Sequence, residues 1–345
     1  MPPPSTVDGM ETRLDIRTLD PHDDRQMHRF HEILWRAEKE DGRSWNSCWT
    51  FDELASVFRE PTADRRMDGC CVFEGGRMLA AGVLQLFLLD NLDKAYVFPA
   101  VEPTLRGHGL GGAVLEELVE RARDAGRTRV LSDTALPYAE RRTSGVLAFA
   151  DRHGFRLANT EIYRVLRLPV AESLLDELAD DAARHHAGYV LERYVDELPE
   201  RYLPSYCHLV NQLALDAPTG DVDFEAARVT PEIQRAKLQR SRRIGRTTFI
   251  SVAVLDGEVV AHSDLVVPPS GTEVHQMGTL VRRDHRGHRL GTAVKVANLR
   301  ALQDARPDVA EVHTQNAETN RWMLDINVRL GFEPVGVCPD FLREL

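Results

Sequence analysis

The string Arg106-Gly107-His108-Gly109-Leu110-Gly111 is written a second time, with one change, as Arg286-Gly287-His288-Arg289-Leu290-Gly291. Each copy follows a strand-like segment and opens an amphipathic helical pattern. Each is followed at nearly the same distance by a Gly-Phe pair, Gly154-Phe155 and Gly331-Phe332. A strand that ends in a Gly-rich turn and feeds a helix aims several backbone N–H groups at one spot. The helix dipole adds positive potential there, which suits phosphate oxygens. Gly109 and Gly111 let the backbone approach a pyrophosphate closely, and Arg106 adds a charge-assisted contact. A Rossmann reading fails because several elements precede each loop, and a Walker loop is absent because no Gly-Lys-Ser/Thr follows.

Outward from the two strings, the element order repeats. The first copy reads as a strand at 14–19, helices ending near Lys39 and Arg59, and a hairpin turning on Gly75-Gly76. A strand at 95–101, the helix 110–124, a strand at 129–133, a helix at 144–152 and a closing strand pair over 155–168 complete it. The second reads as a strand at 189–195, helices at 199–215 and 231–244, and a hairpin over Asp256-Gly257. A strand at 274–281, the helix 290–305, a strand at 311–315, a helix at 321–330 and a strand at 332–338 follow. The expected organisation is a disordered segment 1–11, a first domain 12–169, a linker helix 170–187 and a second domain 188–345. Two packed half-barrel-like α/β domains are expected rather than one continuous sheet.

The 345 residues carry a net charge of −11. Both halves are acidic, so no basic face for nucleic acid hides in the total. No apolar run is long enough to span a bilayer, and the N-terminus does not read as a secretory signal. Cys48, Cys70, Cys71, Cys207 and Cys338 show no metal-ligand spacing. Core thiols in a reducing cytoplasm are expected, with no metal and no membrane partner.

The stretch Val101-Glu102-Pro103-Thr104-Leu105-Arg106-Gly107-His108-Gly109-Leu110-Gly111 resembles the coenzyme A signature of the GCN5-related N-acetyltransferase (GNAT) superfamily. The later Gly-Phe pairs resemble that family too, as do Thr279-Leu280-Val281 and Asn316 with Asn320 in the second half. The resemblance spans nearly the whole chain, in the tandem manner of mycothiol synthase-like proteins. It implies an α/β (α+β) fold of two tandem GNAT-like domains, each a mixed, mostly antiparallel twisted sheet flanked by helices. It also implies an N-acetyltransferase that uses acetyl-CoA, or another acyl-CoA, as co-substrate and a small-molecule amine as acceptor, by direct attack in a ternary complex. A monomer and a homodimer both fit. Transfer from aminoacyl-tRNA, or a non-catalytic CoA sensor, are the rival readings.

By the same resemblance, CoA contacts fall on Val101, Arg106, Gly107, His108, Gly109, Leu110 and Gly111 in the first half. In the second they fall on Leu280, Val281, Arg286, Gly287, His288, Arg289, Leu290, Gly291, Asn316 and Asn320. Asn320 reads equally well as a helix N-cap. The family's base position, counted six residues back from the final valine of the strand, is Ala95 in the first half and His275 in the second. Glu273 is the reserve base, with Asp93 its counterpart. The family's tyrosine acid is replaced by Ala150 and Asn327. These residues weight catalysis toward the second half, provided Arg289 keeps a negative φ.

Overall fold

The computed structural model describes residues 14–40, 43–269 and 271–345; the segment 1–11, expected to be disordered, lies outside them. The first repeat runs β1 (Asp15–Thr18), α1 (Asp24–Lys39), α2 (Phe51–Arg59), β2 (Arg65–Glu74), β3 (Arg77–Phe87) and β4 (Lys94–Val101). It continues through α3 (Leu110–Asp124), β5 (Arg129–Asp133), the short β6 (Leu136–Pro137), α4 (Gly145–Arg152) and β7 (Arg156–Arg167). After α5 (Glu172–Ala183) the order recurs with β8 (Val190–Val195), α6 (Leu203–Asp216), α7 (Pro231–Arg243), β9 (Thr247–Leu255), β10 (Glu258–Val267) and β11 (Glu273–Val281). It closes with α8 (Leu290–Ala305), β12 (Glu311–Ala317), α9 (Arg321–Leu330) and β13 (Glu333–Glu344). Among the described residues no helix is long and apolar enough to cross a membrane.

Local chemistry accounts for the helices. Asp23 caps α1 by accepting from the amides of Arg25 and Gln26, and Thr50 with Glu53 forms a capping box on α2. Met27, Phe30, Ile33 and Ala37 then present one buried stripe of α1. Helices cover both faces of the sheet in the first repeat. Cys70, Val97 and Val130 pack under α3 and α4, while Cys71, Ala81 and Ala100 pack under α1 and α2. Cys70 and Cys71 thus point to opposite faces, and all five cysteines are unpaired thiols.

The sheet is one continuous surface, in the order β1-β2-β3-β4-β5-β13-β7-β12-β11-β10-β9-β8, with β6 beside β13. This overturns the expectation of two separate half-barrels. The closing strands are exchanged: β13, the end of the second repeat, lies between β5 and β7, and β7 lies between β13 and β12. The stretch expected to be a closing strand pair is therefore a single strand, β7, whose partners both come from the other repeat. Hydrophobic alternation says that a strand has a buried face but not which copy supplies its neighbour. An ionic seam also ties α7 to the first repeat, with Lys237 2.7 Å from Asp64 and Arg240 donating to Ser56 at 3.0 Å.

Candidate active site

In each repeat the two parallel strands that flank the Gly-rich loop are laddered only at their start. β4 and β5 pair at Lys94↔Arg129, Ala95↔Val130 and Tyr96↔Leu131 and then diverge. β11 and β12 pair at Glu273↔Glu311, Val274↔Val312 and His275↔His313 before doing the same. Past the last pair, the edge of β4 turns unladdered N–H and C=O groups toward the gap.

A cavity of about 990 Å³ occupies the first gap. It is lined by Gly107, Gly109 and Gly111 of the loop, by Ala100, Ser132 and Asp133 of the two strands, and by Glu38 and Arg43, beside which the Arg106 side chain reaches across to donate to the Ala37 carbonyl at 3.3 Å. Gly107 and Gly109 hold φ of +84° and +81°, and a Cβ on either would meet nothing within 4 Å. Glycine is needed there for the left-handed backbone, and its bareness leaves the loop amides and the start of α3 uncovered. Val101 and Leu110 frame this loop from the strand and helix sides, while His108 turns back through Nδ1 to the carbonyls of Leu105 and Arg106. These residues fit a diphosphate.

The second loop is spent on the protein itself. Arg286 is bound by Asp216 at 2.6 Å, and His288 Nδ1 contacts the His185 carbonyl at 3.0 Å. Arg289 has φ of +55°, so the condition set on it, a negative φ, is not met, and its side chain lies 3.5 Å from Asp181. That aspartate sits on α5, which the sequence presents as a linker helix but which packs along α8. Asp181 also pairs with Arg329 of α9 at 2.9 Å, and Glu172 holds Arg300 of α8 at 2.6 Å. Every residue from Leu290 to Val296 is buried, Gly291 among them, whereas Gly111 to Ala113 are partly open. Within the second cleft Lys295 donates to Asn327 Oδ1 at 2.8 Å and lies 5.1 Å from the Phe332 ring. Burial brings its amine down from 10.5 to about 7.

The residues expected to meet CoA there have other duties. Asn320 Oδ1 accepts from the Met323 amide at 3.2 Å, capping α9, and Asn316 Oδ1 accepts from Asn327 at 2.6 Å. Leu280 is buried beneath α6, Val281 packs beside Gly291, and Gly287 holds φ of +89° beside the bound arginines.

His275 and Glu273 stand at the laddered end of β11. His275 Nε2 shares a 3.0 Å hydrogen bond with Ser47 Oγ, from the segment between α1 and α2, and Glu273 lies 3.6 Å from Lys39. Burial and the neighbouring His313 bring His275 down to about 4, so it is neutral at pH 7. The count from the final valine also needs correction. Ser263 pairs with Thr279 but Leu265 with Gln276, a bulge that puts one extra residue into β11. By ladder position His275 matches Tyr96, not Ala95, and Glu273 matches Lys94, not Asp93.

The sequence reading passed over two carboxylates that line the open cavity. Asp133 ends β5 surrounded by protein on the cavity wall, with its side chain open to that cavity. Burial first, then the charges of Asp340, Glu38 and Glu161, push it up to about 7. Glu38, on α1, accepts from Asn46 at 2.7 Å and is also raised by burial. The available signal was an aspartate at the C-terminal end of a parallel strand beside the Gly-rich loop, where open α/β sheets place ligands.

Residues 27–155 match the acetyltransferase (GNAT) family. A tandem GNAT protein from the clavulanic acid biosynthesis pathway superposes with a TM-score of 0.74 at 25% identity, over 96% of this chain and 98% of that one. A GCN5-related N-acetyltransferase from Sphaerobacter thermophilus gives 0.63 at 16% identity over 96% of both chains. N-myristoyltransferase from Saccharomyces cerevisiae shares the fold at 0.60 and 13% identity, over 96% of this chain and 80% of that one. No curated protein matches the sequence. Residues 27–155 carry the match to the GNAT acetyltransferase family, and the whole chain shares the fold of tandem GNAT proteins. Acyl-CoA-dependent N-acyl transfer is the general chemistry of this class.

Proposed function

We propose that the chain transfers an acyl group, acetyl in the simplest case, from acyl-CoA to the primary amine of a small molecule within a ternary complex. The first repeat holds the acyl-CoA; the second braces the sheet. The observation that carries this reading is the cavity lined jointly by the Gly-rich loop, the β4–β5 gap and Glu38. The corresponding second cleft is filled by Lys295 and covered by α5. This reverses the weight that the sequence placed on His275. Diphosphate oxygens lie against the loop amides, and the thioester reaches the gap, where unladdered β4 N–H groups polarise its carbonyl. The amine approaches from the α1 side. Five unpaired thiols support the expected reducing, cytoplasmic compartment.

Calorimetry with CoA tests the assignment. One saturable site per chain is expected. Gly111→Leu should abolish it, because a Cβ there already lies 3.4 Å from Val101 and 3.6 Å from Phe149, so a larger side chain must enter the cleft. Arg289→Gly should leave it unchanged. The opposite pattern would return the cofactor to the second repeat, and no binding at all would favour an acyl donor other than CoA.

A further inference from the structure

The face of the sheet turned away from α3 and α4 carries a band of carboxyl groups that the fold does not neutralise. Asp133 on β5 is directly opposite Asp340 on β13, and Asp340 is opposite Asn159 on β7, two residues before Glu161. Alternate residues of a strand share a face, so Asp133, Asp340, Asn159 and Glu161 line one surface across three neighbouring strands. Asn159 donates to Asp340 at 3.0 Å. Among the described residues, no arginine or lysine forms a salt bridge with Asp133, Asp340 or Glu161. Elsewhere the chain pairs its carboxylates freely, even the buried Glu102 with Arg29 at 2.6 Å. Stacked rings of Tyr96 and Phe98, 5.8 Å apart, stand beside the band on β4.

Apolar groups flank the band. Leu131, Leu342 and Ala158 lie on one side under Val222 and Phe224, from the segment joining α6 to α7. Ala135, Cys338 and Tyr163 lie on the other, beside Trp45. The open cavity reaches the band at Asp133, past the point where the thioester is placed. A pit with acidic floor, aromatic edge and aliphatic margins suits a cation with an alkyl spacer. Two strand spacings put Asp133 and the β7 residues about 10 Å apart, enough for two separate ammonium groups.

We propose that this pit is the acceptor site, that it takes a diammonium compound, and that Asp133 receives the proton of the reacting amine while Asp340 and Glu161 hold the other ammonium. The proposal rests on acyl-CoA occupying the first repeat. Asp133 takes one proton from the reacting ammonium, and the amine nitrogen so freed forms its bond to the thioester carbon. The C–S bond breaks with its electron pair on sulfur, which receives the second proton of the acylated nitrogen through water. The charged groups around Asp133 are Asp340 from β13, Glu161 from β7 and Glu38 from α1, with Arg43 lining the same cavity; Tyr96 faces it from β4. Burial and these carboxylates raise Asp133 to about 7, a suitable value for a base at neutral pH.

The test measures thiol release from acetyl-CoA with putrescine and cadaverine against n-butylamine and n-pentylamine, and CoA binding by calorimetry in the same samples. The diamines should exceed the monoamines in kcat/KM by at least a hundredfold. Asp340→Asn and Glu161→Gln should each raise the diamine KM at least tenfold, without moving CoA affinity. Asp133→Asn should lower kcat at least a hundredfold and remove the rise in rate centred near pH 7. These amide variants keep size and remove repulsion, so the fold should hold, and an unchanged melting curve verifies it. Intact CoA binding with equal rates for monoamines and diamines, or with a diamine KM indifferent to Asp340→Asn and Glu161→Gln, would overturn this inference alone. Failure of CoA to bind the first cleft would overturn both readings.

Discussion

Replacing Lys295 by methionine should stabilise the protein and leave CoA binding untouched. The amine is sealed between α8 and α9 with Asn327 as its hydrogen-bond partner. The gap between its ordinary value of 10.5 and about 7 in the fold corresponds to roughly 5 kcal/mol at neutral pH. Methionine is similar in length and flexible enough to follow the same path. It leaves Asn327 Oδ1 without its donor, which costs about 1–3 kcal/mol. A net gain of about 2–4 kcal/mol is expected at pH 7. The sign with pH follows from the depressed value: between about pH 7 and 10.5 the unfolded chain binds the proton that the folded chain has lost, so wild-type stability rises with pH across that window. The advantage of Lys295→Met should therefore shrink by about 2–3 kcal/mol from pH 7 to pH 9. Urea denaturation at the two pH values measures it, and other titrating groups cancel in the difference. A difference independent of pH would refute the burial argument. A large loss of CoA affinity would refute the claim that the second cleft is filled.

Other perturbations probe the loops, the floor of the pit and the exchanged strands. Arg289→Gly should relieve left-handed strain and stabilise by about 1 kcal/mol, since the exposed pair with Asp181 contributes little; thermal melting checks it. Asp340→Asn should raise the melting temperature more at pH 8 than at pH 4. Asp133 and its neighbours hold protons more tightly when folded, so stability falls as pH climbs from about 4 to 7. Residues 14–170 expressed alone should fail to give a sharp melting transition, because β5 loses β13, and coexpression with 171–345 should restore one; an independently folding fragment would refute the exchange.

Much of the fold was legible because its signals are local. The Gly-rich loops require φ > 0 next to a helix start, the hairpins turn on Gly75-Gly76 and Asp256-Gly257, and α1 and α3 carry clear apolar stripes. What stayed hidden is non-local. The exchange of β7 and β13 leaves each strand's own pattern unchanged. The bulge in β11 shifts facing by one residue, and counting along the chain cannot detect it, so His275 was set against Ala95 instead of Tyr96. The acidic band is assembled from β5, β7 and β13, which are far apart in sequence, and no motif marks Asp340 or Glu161. The role of α5 was missed for the opposite reason: an acidic, alanine-rich helix between repeats reads as a spacer, until Asp181 is seen bridging Arg289 and Arg329.

The exchanged strands also explain why the second repeat persists although its own cleft is filled. If β5 and β7 were neighbours, the first repeat would own its whole sheet and its partner could drift or be lost. With β13 inserted between them, the first repeat has no floor to its gap without the end of the chain. The same strand delivers Asp340, while the α6–α7 segment brings Val222 and Phe224 over the pit. Glu38 and the phosphate loop come from the other repeat. The proposed acceptor pit therefore belongs to neither copy alone. Substitutions in β13 should change acceptor preference even though the proposed CoA site lies in the other repeat, whereas substitutions around Lys295 should change stability alone.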